Sequence, residues 1–393
     1  MPISRNLLTR AGQYIYQPEG YRAFIPAPLP PDPPVEIAGE LQVLLSEADR
    51  ALGYLDGSIH TLPNPDLFVF MYVRKEAVLS SQIEGTQSSL QDLLEAEAKI
   101  FSPSQPKDVD EVINYVSAMN LGLELLDRSS VPVSIHVIRK IHERLLQGVR
   151  GSRLSPGQLR NTQNWIGNPG CNLHEAIFVP PPHHEVPKKL VELEQFFHNT
   201  QLPTLITIGI IHSHFETIHP FLDGNGRVGR LLISLLLAER RILQKPVLYL
   251  SHYLKNHREN YYKHLQNVRD RGEWESWLGF FLRGIKEVSS EASETASKVL
   301  LLREEHRATI AENLGHAAGN GHLVLEYLYQ KPIVSVKQVQ ELIGTTYAAA
   351  NNLVAQMARN GILHEFTGRA RNRRFIYRDY ISLFRGDEPK NHA

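Results

Sequence analysis

The stretch His219-Pro220-Phe221-Leu222-Asp223-Gly224-Asn225-Gly226-Arg227-Val228-Gly229-Arg230 places a base, a carboxylate, loop glycines and two arginines within twelve residues. His219 can take a proton near neutral pH. Asp223 offers a hard oxygen, the donor that suits Mg²⁺ bridging phosphates. Gly224 and Gly226 permit a tight turn that presents backbone N–H groups. A helix should start at Arg227, and a helix N-terminus is an anion site with phosphate as the usual anion. Arg230 lies three residues on, so both guanidiniums can face one anion. Base, metal ligand, anion cradle and arginines together suggest phosphoryl or nucleotidyl transfer, in which a hydroxyl attacks phosphorus in a preorganised site.

The flanking segments must position these groups. Leu205 to Ile218 has helical spacing, and Leu231 to Ala238 is almost wholly apolar, so the stretch reads as helix, Gly-rich loop, buried helix. A buried helix tolerates two arginines only with anionic partners. His212, His214 and His219 are spaced by two and five, which does not gather zinc ligands on one helical face; His212 and His214 read as hydrogen-bonded packing residues.

The pattern His219-Pro220-Phe221-x-Asp223-Gly224-Asn225-Gly226-Arg227-x-x-Arg230 resembles the complete signature of the Fic family. The resemblance implies a mainly α fold, a Fic-type helical core with a small β-hairpin flap. It implies transfer of AMP from ATP to a Tyr, Thr or Ser hydroxyl of a target protein, with release of pyrophosphate. His219 would deprotonate the target hydroxyl and Phe221 would anchor the loop. Asp223 would hold Mg²⁺ against the α- and β-phosphates. Gly224 lies in the phosphate loop, Asn225, Gly226 and Arg227 would form the anion cradle, and Arg230 would grip the γ-phosphate. Upstream, Ser80-Ser81-Gln82-Ile83-Glu84-Gly85 ends a helix reading from Pro65 to Ile83. An acid near a helix C-terminus opposes the macrodipole, so Glu84 must find a cation elsewhere. The segment resembles the family's inhibitory motif, which implies that Glu84 pairs with Arg230 and that Ser80 sets its helix against the nucleotide. The same glutamate serves removal of AMP in some family members, so the reverse reaction stands as an alternative. Transfer of phosphate or phosphocholine is a lesser one.

The 393 residues allow two or three domains, and 42% hydrophobic content fits a sizeable core. Zero formal charge gives no global attraction to nucleic acid or membrane. A single cysteine, Cys171, excludes an internal disulfide and fits a reducing cytoplasm. The N-terminus lacks a signal-peptide apolar region, and no apolar run reaches membrane-spanning length, so a soluble cytoplasmic protein is expected.

Along the chain, residues 1–34 read as a Pro-rich extended strap, and Val35 to Leu55 as a helix stopping at Asp56-Gly57. Together with the inhibitory helix they make an N-terminal region, 1–105. A core over 106–286 follows. Within it, Trp165-Ile166 and Ala176–Val179 read as a hairpin, which resembles the family's flap and so implies alignment of a target by β-augmentation. Helices are expected at Asn256–Arg269 and Trp274–Ile285; the resemblance implies that this region closes over the adenine, with Tyr262 a candidate for stacking on it and Arg269 a polar neighbour. Residues 287–314 read as a solvated linking helix. In 315–385, three helices and two short strands read as a winged helix with Arg369, Arg371, Arg373 and Arg374 on its wing, before a tail at 386–393. Its helix from Thr346 opens without Lys or Arg, which leaves DNA and protein as equal docking partners. A DNA-binding regulator with the core as sensor is the rival of another class. Self-modification on Tyr, Ser or Thr and a homodimer stay open.

Overall fold

The computed structural model describes residues 9–60, 62, 65–100, 106–129, 132–168, 170–369 and 371–384. The chain begins with a hairpin of β1 (Gly12–Tyr16) and β2 (Arg22–Pro26), with Tyr14 opposite Phe24. Alternation in Gln-Tyr-Ile-Tyr and Arg-Ala-Phe-Ile drives this pairing, so among the described residues of 1–34 only those after Pro26 are left for the strap read from the prolines; residues 1–8 lie outside the described residues. Helix α1 (Gly39–His60) runs through Asp56-Gly57 instead of stopping there. Its buried stripe Leu41, Leu44, Ala48, Leu52, Leu55, Ile59 continues past the glycine, and packing outweighs the local break.

Helix α2 (Pro65–Ile83) is followed by α3 (Leu90–Glu97), which starts at a capping box of Ser89 and Asp92. Helices α4 (Val109–Ser129) and α5 (Ile135–Leu145) come next. After a long irregular segment come α6 (Val186–Asn199), α7 (Thr204–Ile218) and α8 (Asn225–Glu239). Nearly every residue of α7 and α8 is buried, so this pair is the centre of the molecule. Two short helices, α9 (Ser251–Asn256) and α10 (Arg258–Arg271), lead to α11 (Trp274–Asn313), 40 residues long. The sequence suggests a break near residue 286 and a solvated second half. Instead Val288, Ser289, Ala292, Ser293 and Ala296 are buried, small enough to let α1 lie close along α11.

The expected flap strands reduce to one antiparallel bridge, Ile166 with Phe178. Pro180, Pro181 and Pro182 follow at once and have no N–H with which to extend a ladder. Phe24 instead donates its N–H to the Val179 carbonyl (2.9 Å), fastening the segment to β2.

The C-terminal part has α12 (Ala318–Gln330), β3 (Ile333–Ser335), α13 (Val336–Ile343), α14 (Tyr347–Arg359), β4 (His364–Glu365), β5 (Arg374–Ile376) and α15 (Arg378–Ser382). The sheet order is β3-β5-β4, all antiparallel. Phe384 packs its ring 6.1 Å from Phe68 and 5.3 Å from Tyr72, so this part rests on α2.

Helices α7 and α11 meet at Gly209, whose carbonyl accepts from the buried Trp277 Nε1–H (2.8 Å). A Cβ at Gly209 would lie 2.7 Å from Leu278 Cδ2 and 3.1 Å from Phe281 Cδ1. Gly209→Ala is therefore expected to lower stability by about 1–3 kcal/mol, read as a lower urea midpoint. An unchanged midpoint would mean that the helices are not seated this closely.

Candidate active site

The loop between α7 and α8 is held from several sides. Helix α7 ends at His219, a left-handed cap with φ 50° and ψ 62°, whose N–H donates to the Phe215 carbonyl (2.9 Å). Phe221 is fully buried and stacks on the His142 ring at 3.7 Å. The Asn225 side chain both accepts from the Phe221 N–H (2.9 Å) and donates to its carbonyl (2.8 Å), closing the turn. Gly224, at φ 77°, caps α8 in the conformation that glycine adopts without strain. Beneath the loop, His142 Nδ1 accepts from the Gly157 N–H (2.8 Å), so its Nε2–H must donate to the Asp223 carbonyl (3.0 Å). That fixed neutral tautomer agrees with burial pushing the His142 pKa down to about 4.

The two arginines of α8 turn to different partners. Arg227 donates to Glu111 of α4 (3.0 Å) and lies 3.6 Å from Asp223, while its Nε has no hydrogen-bond partner. Arg230 is spanned by α2: Nε–H donates to Ser80 Oγ (2.8 Å), and Nη2 donates to the Ser80 carbonyl (3.0 Å) and to Glu84 Oε1 (2.7 Å). Glu84 follows the last turn of α2, and Gly85 turns the chain away at φ 97°. Its carboxylate reaches the first turn of α8, where a Cβ on Gly226 would lie 2.3 Å from Oε1. The acid that opposes one helix dipole thus sits at the favourable end of another. Burial alone would raise the Glu84 pKa; the Arg230 charge and hydrogen bond, with Arg227 beyond, outweigh it and hold it low.

His219 is pushed down to about 3, first by burial and then by the cations Arg160 and Arg269. It is neutral at pH 7 and able to accept a proton. Asp223 keeps 30% of its side-chain surface exposed, and its Oδ1 accepts from the Gly224 N–H (2.6 Å). Tyr262 is 39% exposed at the rim, 5.0 Å from the buried Tyr261 ring. Arg269 is buried with α7 and the 160–182 segment, not at that rim.

Residues 42–124 match the Fic/DOC family N-terminal region, and residues 132–237 match the Fic/DOC family itself. The chain belongs to the Fic/DOC family. It is similar to a probable protein adenylyltransferase of Aquifex aeolicus, 27% identical over 45% of this chain and 51% of that protein. A protein adenylyltransferase of Caenorhabditis elegans is 29% identical over 39% of this chain and 30% of its own. The chain thus spans about half, or less, of the length of these curated relatives. Among solved structures, a Fic family protein from Desulfovibrio desulfuricans shares the fold with a TM-score of 0.57 at 21% identity, covering 88% of this chain and 97% of that one. No helix among the described residues is long and apolar enough to cross a membrane.

This Fic core gathers His219, Asp223, Gly224, Gly226, Arg227, Arg230, Ser80 and Glu84 around one loop. Asn225 is adjacent, its side chain spent on closing the turn. Sequence reading missed Glu111, His142, Arg160, Glu216 and Glu76. Two had a signal: His142 interrupts the apolar face Val137, Ile138, Ile141, Leu145, and Glu76 sits in the apolar run of α2. Glu76 accepts from the Ser251 N–H (3.2 Å), Ser251 Oγ and Tyr115 OH, and burial raises its pKa to about 7. Burial likewise raises Glu216 to about 7.

These shifts set an acid sensitivity. His142, His212, His214 and His219 have folded pKa values of about 3 to 4, below the unfolded value of 6.5, so each loses stability as pH falls below 6.5. Glu76 and Glu216 are raised, so their burial penalty is relieved as pH falls from 7 to 4.5. The histidines with lowered pKa, His264 and His306 among them, outnumber the two raised carboxylates, so unfolding free energy should drop by roughly 3 kcal/mol per pH unit between pH 6.5 and 4.5. Urea unfolding at three pH values measures the slope; a flat profile would place these histidines in water.

Proposed function

We propose that the chain transfers AMP from ATP to a hydroxyl side chain of a target protein, and that Glu84 holds the site in check. The observation that carries this is the Glu84–Arg230 contact at the N-terminus of α8, beside a neutral His219 on the same loop. Relatives named protein adenylyltransferase support the reaction class.

The residues divide the work. Neutral His219 takes the proton of the attacking Tyr, Thr or Ser hydroxyl. The first turn of α8, with Gly226 and Arg227, receives phosphate oxygens on backbone N–H groups and a guanidinium whose Nε is unpartnered. Arg230 completes the anion site once Glu84 withdraws. Asp223 fits Mg²⁺: a partly exposed carboxylate at the phosphate loop is the minimal protein ligand that this ion takes alongside phosphates. Bound there, Mg²⁺ would neutralise charge on the bridging phosphates. Tyr262 at the rim is the proposed contact for adenine. The segment around the Ile166–Phe178 bridge is the proposed flap, and residues 315–385 a winged helix. On its wing, Arg373 donates to Asn351 (2.8 Å) and Arg374 to Gln338 (3.1 Å). Those two are turned toward the domain itself, which favours a protein partner over phosphate backbone.

Glu84→Gly leaves Arg230 bound to both Ser80 oxygens, so the variant should fold. Incubated with α-labelled ATP and Mg²⁺, it is expected to label protein at least about tenfold more than wild type, the factor corresponding to ~1.4 kcal/mol of competition. Adding His219→Ala should cut transfer by roughly 10²–10⁴ while ATP binding persists. Equal labelling by wild type and Glu84→Gly would sink the inhibitory role.

A further inference from the structure

Arg160 and Arg269 are buried guanidiniums that pair with no carboxylate among the described residues. Arg160 Nε–H donates to the His219 carbonyl (2.9 Å) and Nη2 to the Ile218 carbonyl (3.4 Å). The same side chain donates to the carbonyls of Thr162 (3.3 Å) and Pro181, one on each arm of the 160–182 segment. Its backbone N–H donates to the Pro220 carbonyl (2.9 Å). Arg269, from α10, donates to Thr217 Oγ1 (3.1 Å) and the Glu216 carbonyl (3.3 Å), and its guanidinium lies 3.8 Å over the Phe178 ring. It also reaches Gln266 Oε1 (3.3 Å). Asn164 adds a third strut, donating to the Phe221 carbonyl (2.8 Å).

Burying a guanidinium without a carboxylate is expensive, and a helix C-terminus returns only part of that cost. Here two are spent on the last carbonyls of one helix, α7, and both also touch the segment of the single bridge. Residues 216–219 and both arms of that segment are thereby fixed as one body. The phosphate side of the loop is held by other means: His142 and Asn225 on the loop, Glu111 on Arg227, α2 on Arg230.

We propose that Arg160 and Arg269 are positioning residues that lock the His219 end of α7 to the flap. A target chain laid along the flap then meets the base at a set distance and angle. The clamp leaves the nucleotide site untouched. Its consequence for turnover rests on the transferase reading above; its structural content does not.

The test uses the full chain in the Glu84→Gly background, with Arg160→Lys, Arg160→Met and Arg269→Lys, each checked for an intact melting transition. Hydrogen exchange of Arg160→Met is expected to rise together in 162–168, 176–179 and 218–222, with 223–230 unchanged. The lysine variants keep the charge but lose the planar fork. They should lower kcat at least about tenfold, the scale set by misplacing a reacting group, with KM for ATP within twofold. Unchanged exchange overturns the clamp. So does raised exchange with kcat preserved, or a parallel loss of ATP affinity, which marks a general weakening. If Glu84→Gly itself transfers nothing, the transferase reading fails, and the exchange pattern alone decides the clamp.

Discussion

The charge of Arg230 is the constraint around which the molecule is arranged. Its side chain is 2% exposed, inside a helix pair that is almost wholly buried. A buried cation with no partner would cost several kcal/mol, so some oxygen must always face it. In this state α2 supplies three: a hydroxyl, a carbonyl and a carboxylate. That requirement explains why an N-terminal helix lies across the core at all. Glu76, two turns before Glu84 on the same helix, adds its own bonds to α9 and α4 and keeps α2 seated. The C-terminal part rests on the other end of the same helix through Phe384.

The second arrangement is electrostatic. Cations surround the loop: Arg160 and Arg269 on the His219 side, Arg227 and Arg230 on the side of α8. With burial, Arg160 and Arg269 hold His219 neutral, while Arg227 and Arg230 make the first turn of α8 receptive to negative charge. On the proposed reading, the two pairs of charges serve two ends, an uncharged base and an anion-seeking helix terminus. The carboxylates nearby are placed so as not to cancel this. Glu111 is turned to Arg227 and Arg150, and Glu216 is raised by burial toward its neutral form.

Local signals carried the reading of the sequence a long way. Pro65 and Thr346 mark helix starts at or next to where the structure has them, because caps and proline act on their immediate neighbours. Composition misled where packing decided. The Ala/Ser-rich half of α11 looked solvated because small residues are ambiguous, and only the closeness of α1 makes them a core. The site was legible where it is contiguous, from His219 to Arg230. Glu111 and Arg160 were not, since each meets the loop across 116 and 59 residues of chain. Nothing adjacent to either residue announces such a partner.

Glu84 is, in effect, a ligand tied to its own receptor. Because it rides on the end of α2, its hold on Arg230 depends on an effective concentration rather than on the amount of protein present. For short connections that figure is of the order of millimolar, and it climbs as the connection stiffens. If the inhibitory reading holds, any phosphate that reaches Arg230 competes against this fixed local supply of carboxylate. On the proposed reading, the position of balance therefore depends on the stiffness of α2 and the turn at Gly85 as well as on the strength of the ion pair. A change anywhere along that helix that loosens its end resets the balance without touching a residue of the loop.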